Sequence, residues 1–263
     1  MTALALDLIT RTRVSLFWWL VGVVGMGVYV VFIYDTLGDV QRIADFYDQL
    51  PPALREFIGD ADISTIDGWL QAEFMSWVPL ILAIYGGIFV AGSISREVEQ
   101  RTVDFVLGLP ISRMEFVGSR LLVGMWNVAV LSVVVFLVLT IGVSLTGHTV
   151  HAGRYALASL NAGLLGVALL AAYAAVAAFV DEQGRVTGVT LGVTLVLWIL
   201  SVALQAADAP MFIRWLTPFE HYHSAEAMSG GSVTIGALIV LVVATLAASG
   251  LTLYWYNRRD IAT

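Results

Sequence analysis

The sequence predicts an all-α integral membrane protein: six transmembrane helices, both termini in the cytoplasm, and a short cytoplasmic helix between the second and third spans. Three observations predict it. Six apolar runs, at about 15–34, 74–94, 121–145, 156–180, 186–206 and 233–256, contain no Asp, Glu, Lys or Arg. Each reaches the ~20 residues that a helix needs to cross a hydrocarbon core of about 30 Å. Apolar residues form 59% of the 263-residue chain and charged residues 13%, with a mean hydropathy of +0.87, far from globular averages. The arginines are also unevenly divided between the two sides. Nine of the 13 (Arg11, Arg13, Arg96, Arg101, Arg113, Arg120, Arg185, Arg258 and Arg259) fall on the side of the termini, which the positive-inside rule places in the cytoplasm.

Residues 1–14 carry Leu4, Leu8 and Ile9 ahead of Arg11 and Arg13, a pattern that reads as a short interfacial helix leading into span 1. No small-x-small cleavage site follows the first apolar run, so it is read as a retained span rather than a signal peptide. The outer loop before span 2 holds nine of the 20 acids, from Asp35 to Glu73. Within it Val40, Ile43, Ala44, Tyr47 and Leu50 recur at helical spacing until Pro51-Pro52, and Leu54, Phe57 and Ile58 resume the pattern. Two short amphipathic helices over the outer membrane face are expected there. The outer loops are acidic overall, a property of solvated exposed segments.

Within the membrane, Pro79 is expected to kink span 2. Asn127, Asn161 and Gln205 are the notable amides of the spans and are expected to hydrogen-bond inside the bundle. Gly22, Gly25 and Gly27 in span 1, and the Gly188-x-x-x-Gly192 spacing in span 5, allow close backbone approach. These glycines, Gly22, Gly188 and Gly192 above all, are candidates for a dimer interface. The loops are too short for a second globular unit, so residues 1–263 are read as one membrane domain.

The loop between spans 2 and 3 carries the densest local signals. Thr102 is placed to cap a helix with Asp104 in its first turn, Val103, Val106 and Leu107 share a face, and Pro110 ends it. Ser112-Arg-Met-Glu115 has the S-x-x-E form of a capping box, so a new helix is expected to start there and run into span 3. A helix of about two turns is marginal alone in water and needs a surface to dock on.

Glu97-Val-Glu99-Gln-Arg-Thr102, followed by Leu107-Gly-Leu-Pro110-Ile-Ser-Arg113, resembles the inner-loop signature of type 2 ABC-transporter permeases, the membrane subunits of prokaryotic ABC exporters. The resemblance extends to Leu50-Pro-Pro-Ala-Leu54, to Leu216-Thr-Pro-Phe219 and to Tyr256-Asn-Arg-Arg-Asp260, and so covers nearly the whole chain. Arg101 departs from it, standing where the family usually has Gly. The resemblance implies that the short inner helix couples the permease to a separate ATPase subunit. Glu97, Glu99, Thr102, Asp104, Pro110, Ser112 and Arg113 are then the coupling residues. It also implies a homodimer or heterodimer in which spans 1 and 5 meet, a plasma-membrane location among lipid, and an exported substrate that the sequence does not identify.

Lysine is absent, and a P-loop requires one at the β/γ-phosphates. ATP and Mg are therefore expected on the partner ATPase, with no cofactor or metal in this chain. No catalytic residues and no nucleic-acid partner are expected. The alternative is a polytopic membrane enzyme or a scaffold with no ATPase partner. Its best support is the pairs His148/His151 and His221/His223, but neither is part of an H-E-x-x-H motif and the chain has no Cys, so solvated loop histidines are expected. An ion-coupled carrier would place ionisable groups at the membrane midplane, and these runs have none.

Overall fold

The computed structural model describes residues 2–36, 45, 49, 62–99, 112–180, 182–207 and 209–258. The described residues form helices and no strand, and six helices are long and apolar enough to cross a membrane. Span 1 is Thr2–Thr36, span 2 the composite Ile66–Ser95, and span 3 Arg113–Leu145. Spans 4, 5 and 6 are Ala152–Ala177, Gln183–Ala206 and Ile235–Arg258. The two amphipathic helices expected over the outer face fall outside the described residues.

The segment expected as a separate interfacial helix is instead continuous with span 1. No Pro or helix-breaking pair interrupts it, and the Thr10 and Thr12 hydroxyls fold back onto the carbonyls of Leu6 and Leu8. Span 3 starts at the expected cap, eight residues before its apolar run. Backbone hydrogen bonding does not stop at a charge, so Arg113 and Arg120 are both helical residues.

Span 2 is built in pieces. A short helix, Ile66–Leu70, runs into a π turn at Gln71–Met75; the chain then breaks at Ser76 and Trp77 before the helix Val78–Val90 and a second π turn, Ala91–Ser95. Pro79 occupies the first turn after that break, where its missing N–H costs no hydrogen bond. The interruption therefore precedes the proline. At the break, the Tyr222 hydroxyl donates to the Met75 carbonyl at 2.7 Å.

Spans 2 and 4 are the most enclosed. Span 4 packs on spans 2, 3 and 6, span 1 rests on span 3, and span 5 rests on span 2. Small residues set these contacts. A Cβ added at Gly166 would stand 3.0 Å from Leu82 and Val128, and one at Gly124 2.8 Å from Leu170 and Phe89. In span 1 only Gly27 serves this way, against Val138 and Phe74, while Gly22 and Gly25 face open space.

Two amides act inside the protein as expected. Asn161 Nδ2 donates to the His221 carbonyl at 3.1 Å while its Oδ1 accepts from His223 N–H at 2.7 Å, pinning the loop between spans 5 and 6 onto span 4. Gln205 donates to Glu220, which also pairs with Arg214 at 2.7 Å. His221 corrects an expectation: it is 6% exposed rather than solvated, and burial holds its imidazole below the ordinary value.

Candidate functional site

On the side where the chain starts and ends, the described flanks of the segment between spans 2 and 3 are the end of span 2 and the start of span 3. Thr102, Asp104 and Pro110 lie outside the described residues, and Glu97 lies in the turn Arg96–Glu99 that prolongs span 2. The flanks of the segment are defined. Glu99 Oε2 accepts the Gln183 backbone N–H at 2.9 Å, placing a carboxylate on the first turn of span 5. There it satisfies one of the N–H groups a helix start leaves unpaired and complements the helix dipole. The sequence offered no sign of this contact, because the partners are 84 positions apart.

At the other flank the expected capping box is present. Ser112 Oγ accepts from Glu115 N–H at 3.1 Å, and Glu115 Oε2 accepts from Ser112 N–H at 3.0 Å. Arg113 is the first residue of the helix so capped, and it is half-buried.

Arg120 falls on the helix expected from the Ser112 cap, but the sequence does not signal its burial or its contacts. It is 5% exposed, donates through Nε to the Ser93 carbonyl at 3.0 Å and through Nη1 to the Phe116 carbonyl at 2.9 Å. Its guanidinium carbon lies 3.4 Å from the Phe116 ring centroid, and Phe116 stacks in turn on Tyr256 of span 6 at 6.0 Å. Arg120 thus staples the start of span 3 to the second π turn of span 2. The cap places Arg120 on the helix, but its partner Ser93 is 27 positions away, beyond any local pattern.

The candidate dimer glycines Gly22, Gly188 and Gly192 each have nothing within 4 Å of where a side chain would begin. Spans 1 and 5 do not pack broadly on each other but flank the exposed side of span 2, where Trp77 and Trp198 meet at 5.8 Å. Gly22, Gly188 and Gly192 therefore look outward.

On the opposite side, Asp67 is 8% exposed and gathers three partners from span 4 and its approach. Tyr155 Oη donates to Oδ1 at 2.6 Å, His151 Nδ1 lies 2.7 Å from Oδ2, and Arg154 is 3.6 Å away. Nearby, His148 Nε2 is 2.8 Å from Asp35 Oδ1 at the end of span 1. These two histidines are paired to aspartates rather than to each other, and among the described residues no group of three His, Cys, Asp or Glu is arranged to hold a metal.

No curated protein matches the chain. The family model described as ABC-2 family transporter protein matches residues 1–261. Six apolar helices carrying a capped inner-loop frame thus coincide with a family match over almost the whole sequence, and the chain belongs to the ABC-2 family of transporter proteins, as a membrane component of an ABC transporter.

Proposed function

We propose that this chain is the permease of an ATP-driven exporter in the plasma membrane, with both termini cytoplasmic, working as a dimer with a separate ATPase subunit. The observation that supports this reading best is the frame around the loop between spans 2 and 3. Glu99 joins its start to span 5, Ser112 and Glu115 fix its end as the start of span 3, and Arg120 ties spans 2 and 3 beside it. A displacement of the segment Thr102–Pro110 by a docked ATPase would reach three spans through these bonds, biasing the equilibrium between inward- and outward-facing arrangements. Glu97, Thr102, Asp104 and Pro110 would present the docking helix, and Glu99, Ser112 and Arg113 would anchor it.

Gly22, Gly188 and Gly192 would serve the dimer, because an outward small residue lets a second backbone approach. ATP and Mg would be held by the ATPase, since the chain has no lysine for a P-loop.

Affinity purification of the tagged chain from native membranes tests the reading. Recovery of a P-loop ATPase, with hydrolysis uncoupled from transport in Thr102→Pro or Glu97→Arg, is the expected result. A preparation without an ATPase, or unchanged transport in both variants, would return the enzyme and scaffold readings.

A further inference from the structure

Between the start of span 1, the end of span 2 and the start of span 5 lies a cleft of about 540 Å³ on the side of the termini. Its two ends differ chemically. The outer rim carries Arg11 and Arg96, with Arg120 in the wall and Gln183 at the first turn of span 5. The membrane end is formed by Ser15, Ile88 and Phe89, of which Ile88 is 41% exposed, while Leu8, one turn nearer the terminus than Arg11, belongs to the rim.

We propose that this cleft binds one anionic glycerophospholipid from the leaflet on the side of the termini, its phosphate at the arginines and the head of an acyl chain along Ile88 and Phe89. Charge complementarity carries the argument. The lining holds three guanidiniums and one carboxylate, Asp7, which pairs with Arg11 at 2.8 Å. The acids beside the first turn of span 5 are engaged, Glu99 with the Gln183 N–H and Glu182 with Arg185 at 2.6 Å. Arg96 is exposed and forms no ion pair among the described residues.

The depth selects a lipid over a soluble anion. From Arg96 to Ile88 is eight helical residues, about 12 Å at 1.5 Å per residue. That is a headgroup's descent into hydrocarbon, and a free anion would leave the apolar half unmatched. Basic pockets between transmembrane helices are a known form of acidic-headgroup recognition. A second copy of the chain is the poorer occupant, because its acids lie mainly in the loops on the other side of the membrane.

The test is native mass spectrometry of the full chain, purified in detergent and titrated with phosphatidylglycerol or phosphatidylcholine of identical acyl chains. One phosphatidylglycerol should be retained in preference. Each exposed guanidinium near the surface should contribute about fivefold. Arg96→Gln should therefore lower the preference about fivefold, and Arg11→Gln with Arg96→Gln should bring it near parity. Arg13→Gln with Arg185→Gln removes the same charge outside the cleft and should change nothing. Equal retention of the two lipids would overturn the proposal, as would an equal loss in the Arg13/Arg185 variant. Displacement of the lipid by glycerol 3-phosphate at matching concentration would also overturn it, by identifying a free-anion site. The readout involves no ATPase, so its failure is distinct from failure of the export reading.

Discussion

Replacing Asp67 with Ala should cost the protein about 3 kcal/mol, most of it from one buried hydrogen bond. Tyr155 is fully buried and its hydroxyl sits 2.6 Å from Asp67 Oδ1, so Asp67→Ala removes a bond to a charged acceptor and strands a buried donor. Such a bond is worth about 1.5–3 kcal/mol. His151 and Arg154 are 38% and 36% exposed at their side chains, so solvent screens them and each adds only a fraction of a kcal/mol. For a chain of this size ~3 kcal/mol corresponds to a drop in melting temperature of about 6–12 °C. Thermal unfolding in detergent, followed by tryptophan emission with Trp69 beside the site, is the assay. Tyr155→Phe removes the same bond, so the double variant should fall short of additivity by about 1.5 kcal/mol. Asp7→Asn breaks a surface pair 67% and 56% exposed and should shift the melt by less than about 2 °C. A wild-type melt for Asp67→Ala, or strict additivity with Tyr155→Phe, would refute the argument.

Gly192→Leu should leave the melting temperature near wild type and weaken self-association, whereas Gly166→Leu should destabilise by about 1–3 kcal/mol through overpacking against Leu82 and Val128. Melting and cross-linking of the two variants side by side separate an outward glycine from an inward one; an unaltered dimer fraction for Gly192→Leu removes span 5 from the interface. Glu99→Ala should loosen the first turn of span 5 by about 1 kcal/mol, seen as faster amide exchange near Gln183, and unchanged exchange there would remove the cap. For His221, burial favours the neutral ring in the folded protein, while the unfolded chain takes up a proton near pH 6.5. Its contribution is therefore complete above that pH and is lost as pH falls below it through the lower folded value. Between pH 7 and 5 the melting temperature should fall less steeply in His221→Gln than in wild type, and parallel slopes would exclude the residue.

The spans were legible because charge-free runs of about 20 residues have few other uses, and the capping box at Ser112 because its two members are three residues apart. What stayed hidden has a common physical cause. Arg120 is helical, as the cap at Ser112 implies, but hydropathy does not bury a charge that precedes an apolar run, and Asp67 reads as a solvated acid although Tyr155 reaches it from 88 positions away. The G-x-x-x-G spacing draws attention to Gly188 and Gly192, yet the glycines that seat helices within the chain include Gly27, Gly87, Gly124, Gly142, Gly163 and Gly166, none of them in a G-x-x-x-G. Packing depends on what faces a residue, and the sequence states only what precedes and follows it. The π turns of span 2 carry no local signature either.

Those two turns, at Gln71–Met75 and Ala91–Ser95, bracket the helix Val78–Val90. A π turn holds one residue more than the α turn it replaces, and one residue of an α-helix is about 100° of rotation. If one turn tightens while the other widens, the segment between them revolves as a crank about its own axis. The ends need not travel: Tyr222 holds the Met75 carbonyl at one, and Arg120 holds the Ser93 carbonyl at the other. Such an exchange of hydrogen-bond register would turn the segment about its own axis without sliding it through the bilayer.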